Sequence, residues 1–360
     1  MVEIFMNDSF IGKVFSYFKD DSPKVIVITG ASAGLGRSIA REYAKLGCSI
    51  ALLARGEDGL SGAKEEVEKL GGKALIKQVD VADAGKIEEI ADDIEDELGP
   101  IDVWINNAMV SVFSPVNEML AEEYKRVTEV TYLGQVYGTL AALKHMRKRN
   151  KGSIIFVGSA LAYRGIPLQS AYCAAKHAIE GFYDALRAEL IHDKSKIKTC
   201  MVQLPAMNTT QFELVKSRLP NKAKPMGKIY QPEVAARAIV YAAKHNRREI
   251  YVGYPTLYSI LGNKIAPWLG DHVLAKEGYK GQQTELKEDP DRLNNLYAPV
   301  PGDHGSHGSF DKDASSKSTE LWLSMNKNKI FIGLGVITTI GWILKKKMRQ
   351  NLDLKSSEQF

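Results

Sequence analysis

The chain has 360 residues, 44% of them hydrophobic, and a formal net charge of +5. That length holds one large α/β domain of roughly 250 residues plus an appendage, with enough apolar material for a sizeable core. The charge is too mild to argue for nucleic acid, and Cys48, Cys173 and Cys200 are scattered without disulfide or metal spacing, which fits reduced thiols in a cytosolic compartment.

Residues 1–23 read as an amphipathic lead-in, with Phe10, Ile11, Val14, Phe15 and Phe18 at helical spacing and no secretory signal. Packing against the body explains that pattern better than contact with a membrane surface. Val25–Ile28 is a β-branched run suited to a buried parallel strand, followed at once by Thr29-Gly-Ala-Ser-Ala-Gly-Leu-Gly36 and a helix. Glycines 30, 34 and 36 let the backbone turn sharply and approach a pyrophosphate. The helix N-terminus then offers it free N–H groups and a favourable dipole. A dinucleotide site is the expected consequence.

The second strand, Ser49–Leu53, ends in Ala54-Arg55, with a fork of donors where a carboxylate would read a ribose 2′-OH. NADP(H) is therefore expected over NAD(H). Asp80, at the end of a third strand, is placed to accept from an adenine amino group, and Asn106-Asn107-Ala108 closes the fourth strand, Ile101–Ile105. Helices are expected over 38–46, 58–70, 83–98 and 118–149. Strict alternation of strand and helix argues a Rossmann-like doubly wound parallel sheet with helices on both faces.

Ser159 follows the apolar run Ile154–Val157, where its hydroxyl can hold a carbonyl oxygen. Tyr172 and Lys176 stand four apart, on one face of a helix. A lysine charge beside a phenol favours the phenolate and draws its pKa down from about 10. Beyond Pro205 the stretch 216–232 has little periodicity and suits a loop; Pro232 opens a helix to Lys244, and Glu249–Val252 completes the sheet.

Leu257–Leu274 suits a short amphipathic helical pair that could wall a substrate pocket, join a partner subunit or lie on lipid. Residues 282–317 are polar and rich in Asp, Gly, Pro and Ser, and read as an extended arm. Asp303-His-Gly-Ser-His307 within it is expected to be a surface loop, not a metal site. Ile330–Leu344 is an uncharged apolar run with lysines before it and Lys345–Lys347 and Arg349 after it. Membrane association is expected, as a transmembrane helix or, since both flanks are basic, a shallow insertion. The organisation expected is a lead-in (1–23), a catalytic domain (24–254), a helical extension (255–281), a polar arm (282–329), an apolar membrane segment (330–344) and a basic tail (345–360).

TGASAGLG at 29–36, Asp80, NNA at 106–108, Ser159, Tyr172-x-x-x-Lys176 and Pro205 followed by Thr209-Thr210 occur in an order that resembles the short-chain dehydrogenase/reductase family. The resemblance covers roughly residues 24–253. It implies hydride transfer between NAD(P)H and a carbonyl or alcohol. Tyr172 would be general acid/base, Lys176 would depress its pKa and hold the nicotinamide ribose, and Ser159 would position the substrate oxygen. It further implies that Gly30, Ser32, Gly34, Leu35, Gly36 and Asn107 line the cofactor, with Thr209 or Thr210 on the carboxamide and a mobile lid after Pro205. Three positions depart from the family pattern: Met109 and Ala206 replace glycines, and Thr131 stands where an asparagine orders a proton-relay water.

The expected function is a membrane-associated NADP(H)-dependent oxidoreductase, its catalytic domain facing the cytoplasm. Its partners would be a small carbonyl or alcohol, lipid-like in character, and a second copy of the chain. The alternative is a catalytically weak NADP(H)-binding sensor or scaffold, motivated by Thr131 and Ala206.

Overall fold

The computed structural model describes residues 25–327 and Trp342. The chain divides into two units, one through Lys317 and one from Ser318. The lead-in at 1–23, the apolar run at 330–344 (Trp342 apart) and the basic tail lie outside the described residues. Among the described residues no helix is long and apolar enough to cross a membrane.

Seven strands form the main sheet: β1 Val25–Thr29, β2 Ser49–Ala54, β3 Lys73–Gln78, β4 Val103–Asn106, β5 Ser153–Val157, β6 Lys198–Gln203 and β7 Glu249–Tyr251. Their order is β3-β2-β1-β4-β5-β6-β7, and every pair is parallel. All five residues of β1 are buried, as a strand covered on both faces requires. In register, Val27 lies between Ala51 and Trp104. The chain winds outward from β1 to β3, then restarts at β4 on the other side of β1. That reversal opens a crevice at the carboxyl ends of β1 and β4, the usual ligand position in such sheets.

The helices are α1 Gly34–Ala44, α2 Glu57–Lys69, α3 Ala84–Leu98, α4 Ala121–Val127, α5 Gly134–Arg149, α6 Ser170–His192, α7 Pro232–Lys244, α8 Tyr254–Ile265 and α9 Pro267–Gly281. Helix α1 lies beside α2 and α7, whereas α3 lies beside α5. Asp83 caps α3 by accepting from the Lys86 N–H at 3.0 Å, and Pro232 occupies the first turn of α7, where its missing N–H costs nothing.

Three expectations are corrected. The single helix over 118–149 is interrupted between α4 and α5 by a wide turn at Thr128–Leu133 with i→i+5 bonding. Its cause is visible: the Thr131 hydroxyl donates to the Val110 carbonyl at 2.8 Å and accepts from the Val110 N–H at 3.0 Å. The aperiodic stretch 216–232 is tied down, since Val215, Leu219 and Ala223 are buried with Phe113 and Leu168 in a small separate core. The polar arm is not extended through residue 317. Gln283–Lys287 pairs with Asn221–Ala223, and Ala314–Ser315 pairs with Ile229–Tyr230. Between those ladders the arm runs along the carboxyl edge of the sheet, with Leu296 fully buried.

Candidate active site

The glycine turn is built as a brace between β1 and β4. The Thr29 hydroxyl donates to the Ile105 carbonyl at 3.2 Å and accepts from the Asn107 and Ala108 N–H groups at 2.9 and 3.1 Å. The Asn107 amide donates to the carbonyls of Thr29 and Gly30 at 2.9 and 3.2 Å. Gly30 has φ +66°, and a Cβ there would fall 2.8 Å from the Cα of Ala108. At Gly36 a Cβ would fall 2.1 Å from the Gly30 carbonyl oxygen, so the helix can start only with glycine. Asn107 thus braces the cradle and lines the cavity together with Gly30, Ser32, Gly34 and Leu35.

At the other end of the crevice stand two arginines, only one of which the sequence singled out. Arg55 donates to the main-chain carbonyls of Asn295 and Leu296, at 2.5 and 3.4 Å. Arg126 donates to the Leu296 carbonyl at 3.0 Å and pairs closely with Asp80. Burial lowers the Arg55 pKa; Asp80 opposes that shift and Arg126 adds to it. The second Asp80 oxygen accepts from the Ala82 N–H at 3.0 Å. Asp80 therefore anchors Arg126 as well as facing the cleft, a tie that could not be read from residues 46 positions apart.

Ser159 follows β5 and caps a short turn, its hydroxyl accepting from the Leu161 N–H at 3.1 Å. Tyr172 and Lys176 share one face of α6, with the ammonium nitrogen 5.5 Å from the centre of the phenol ring. Lys176 is buried and donates to the Val157 carbonyl at 2.6 Å. Burial pushes its pKa down to about 7. Burial likewise pushes the Tyr172 phenol above its ordinary value, against a hydrogen bond from Ser159 that draws it down. Desolvation of the phenol thus outweighs the Ser159 hydrogen bond.

Gln135 went unnoticed in the sequence, though it lies one helical turn past Thr131. Its amide donates to the same Val157 carbonyl at 3.4 Å, and its buried carbonyl oxygen has no hydrogen-bond partner in the structure. Thr209 and Thr210 are buried, and Thr209 stands 3.3 Å from where a Cβ of Gly34 would lie.

One cavity of about 840 Å³ joins these groups. It runs from Arg55 and Asp80 past the glycine turn to Ser159, Tyr172 and Lys176. It continues between Tyr258, Ile265, Leu269 and Val273 of α8 and α9, so the helical pair walls the pocket. A cradle that only glycine fits, two half-buried arginines and the Tyr172–Lys176 pair lie along one cleft, an arrangement that suits a nicotinamide dinucleotide.

The family model for short chain dehydrogenases matches residues 24–219. The chain belongs to that family. It is an oxidoreductase of the short-chain dehydrogenase family, whose fold binds a nicotinamide cofactor. An uncharacterized oxidoreductase, YxnA, of Bacillus subtilis is 31% identical over 91% of each chain. A fatty acyl-CoA reductase of Acinetobacter baylyi is 32% identical over 78% of this chain and 95% of its own. A 3-dehydrosphinganine reductase of Danio rerio is 34% identical over 60% of this chain and 67% of its own. Among solved structures, an alcohol dehydrogenase from Thermococcus sibiricus complexed with 5-hydroxy-NADP superposes with a TM-score of 0.55 at 26% identity, covering 64% of this chain and 95% of that one.

Proposed function

We propose that the chain is an NADP(H)-dependent reductase that transfers a hydride between the cofactor and a carbonyl or secondary alcohol, with Tyr172 as general acid/base. The observation that carries this reading is the convergence of Ser159, Tyr172 and Lys176 on the cavity that also holds the glycine turn. When bound, the nicotinamide supplies the hydride to the carbonyl carbon, or accepts it in the reverse direction. Ser159 holds the carbonyl oxygen. Tyr172 gives that oxygen its hydroxyl proton, so that charge does not accumulate as the new C–H bond forms. Lys176 stands beside it, with its ammonium nitrogen 5.5 Å from the centre of the phenol ring and anchored on the Val157 carbonyl. Thr131 is committed to both main-chain groups of Val110, which makes it a bracket for the wide turn instead of a proton carrier.

Preference for NADP(H) rests on Arg55 at the end of β2, where no carboxylate stands, with Arg126 beside it. Gly30, Ser32, Gly34, Leu35 and Gly36 would cradle the pyrophosphate, and Thr209 or Thr210 the carboxamide. The apolar wall supplied by α8 and α9 favours an extended, lipid-like carbonyl substrate. Two similar proteins, named for fatty acyl-CoA and 3-dehydrosphinganine, point the same way. Their reductase names also favour catalysis over the sensor alternative.

Membrane contact remains part of the proposal through the apolar run at 330–344, and extraction of the intact protein by alkaline carbonate would contradict a spanning segment. The function itself is tested by offering ketones and aldehydes of increasing chain length with NADPH and with NADH. Turnover that rises with chain length and prefers NADPH supports it. Binding of NADPH with no turnover across the panel would restore the sensor reading.

A further inference from the structure

Residues 292–311 do more than decorate the surface. The segment enters beside Leu214, where the Asn295 N–H donates to the Leu214 carbonyl at 2.8 Å, and it buries Leu296 completely. At that end both Arg55 and Arg126 hold its main-chain carbonyls. It then crosses the mouth of the cleft through Pro299, Val300 and Pro301, a stretch stiffened by two prolines. Pro299, Val300, Gly302 and His304 line the same cavity as Arg55 and Gly34.

The far end is fastened differently. The Gly302 N–H donates to Asp58 on α2 at 2.7 Å. The Arg37 guanidinium holds both oxygens of Asp303, at 2.5 and 3.0 Å, and the Gly34 N–H donates to the Gly305 carbonyl at 2.9 Å. The segment is therefore a strap anchored on both sides of the crevice. One anchor is a fully buried leucine flanked by two arginines, and the other is an ion pair whose aspartate side chain is 41% exposed. Withdrawing the leucine exposes apolar surface, whereas releasing the half-exposed Asp303 carboxylate hydrates it and leaves buried Arg37 its bonds to Glu66 and to the Ser32 and Gly59 carbonyls. The Asp303 end is the less costly of the two to release.

Resting on the cofactor reading above, we infer that residues 295–305 form the outer wall of the dinucleotide site and that the Arg37–Asp303 clasp sets how fast the cofactor leaves. Asn295 and Leu296 are positioning residues in this account, because their carbonyls fix the Arg55 fork that reads the adenosine end. Helix α2 is shaped for the clasp. A Cβ on Gly62 would lie 2.1 Å from an Asp303 carboxylate oxygen and 2.8 Å from an Arg37 nitrogen, so an alanine there displaces the clasp side chains from their closed positions.

Gly62 gives a test that does not weaken the fold locally, since alanine is the better helix former. Release of NADPH is followed by loss of its fluorescence on mixing with excess NADP⁺, in the full-length protein and in Gly62→Ala, Asp303→Asn and Asp303→Glu. Gly62→Ala and Asp303→Asn are expected to release NADPH about tenfold faster, the scale of one charge-assisted hydrogen bond, while Asp303→Glu stays near the wild-type rate. In the wild type, NADPH is expected to slow amide hydrogen exchange over 296–305. Unchanged or slower release in both Gly62→Ala and Asp303→Asn, with NADPH still bound by the wild type, overturns the strap inference alone. Failure of the wild type to bind NADPH overturns the cofactor reading and the strap with it.

Discussion

The glycine turn and the strap face each other across one cleft, yet they are built on opposite principles. The turn from β1 to α1 is local: a β-branched strand, three glycines and a helix within twenty residues, each choice consistent with the next. The strap at 292–311 has no periodicity and little apolar content, and it is ordered by bonds to residues some 80 to 270 positions away, such as Val215 to Arg292 and Arg37 to Asp303. Polar, proline-rich composition signals absence of an independent core, not absence of order. A segment of that kind can be fixed when its backbone satisfies side chains that a sheet edge already presents.

The largest effect expected within the turn-and-helix side of this comparison follows Lys176→Met. Turnover should fall by about 10²- to 10⁴-fold, the range for loss of an acid/base group. Its effect on stability is the opposite. The lysine pKa is about 7 in the folded chain and about 10.4 when unfolded, so below pH 7 the fold carries a buried charge at full cost. The variant should therefore melt higher than the wild type at pH 6, and that advantage should shrink as pH rises from 7 towards 10. A variant that loses turnover and also melts lower at pH 6 would contradict the account of burial.

On the strap side, Arg55→Ala removes the group that the strap carbonyls orient. The Michaelis constant for NADPH should rise about 10- to 100-fold while that for NADH changes little, as measured by initial rates with each cofactor. Equal loss for both would assign Arg55 a structural role in holding Asn295. A smaller effect is expected at Glu123, which joins α4 to the stretch 216–232. Its buried carboxylate accepts from Lys216 and Arg218, at 2.8 and 2.7 Å, and from the Leu120 N–H at 3.0 Å. Although burial opposes it, these bonds hold its pKa at about 2. The stabilisation is present above the ordinary carboxylate range and is lost as pH falls from about 4.5 towards 2. Glu123→Gln should cost about 2 kcal/mol in denaturant unfolding at pH 7 and much less near pH 2.

The legible part of the molecule was what local pattern determines. The doubly wound sheet, the glycine turn, Ser159 after β5 and the shared face of Tyr172 and Lys176 all follow from period and punctuation within short windows. The interruption of 118–149 was hidden because a threonine inside a helical pattern does not announce a bond to Val110, 21 positions back. Arg126 and Gln135 lie in the same helical run, where spacing alone marks neither. The order of the strap is not legible in composition, because its acceptors meet Arg37 and Arg55 only across the fold.

The account rests most heavily on Tyr172 as the proton donor, and Tyr172→Phe tests it without disturbing α6 or the cleft. Turnover of a carbonyl substrate with NADPH and the dissociation constant for NADPH should be measured side by side in the variant and the wild type. The account predicts a fall in turnover of at least about 10²-fold with NADPH affinity changed by less than about threefold. Turnover in Tyr172→Phe within a few-fold of the wild type would contradict it.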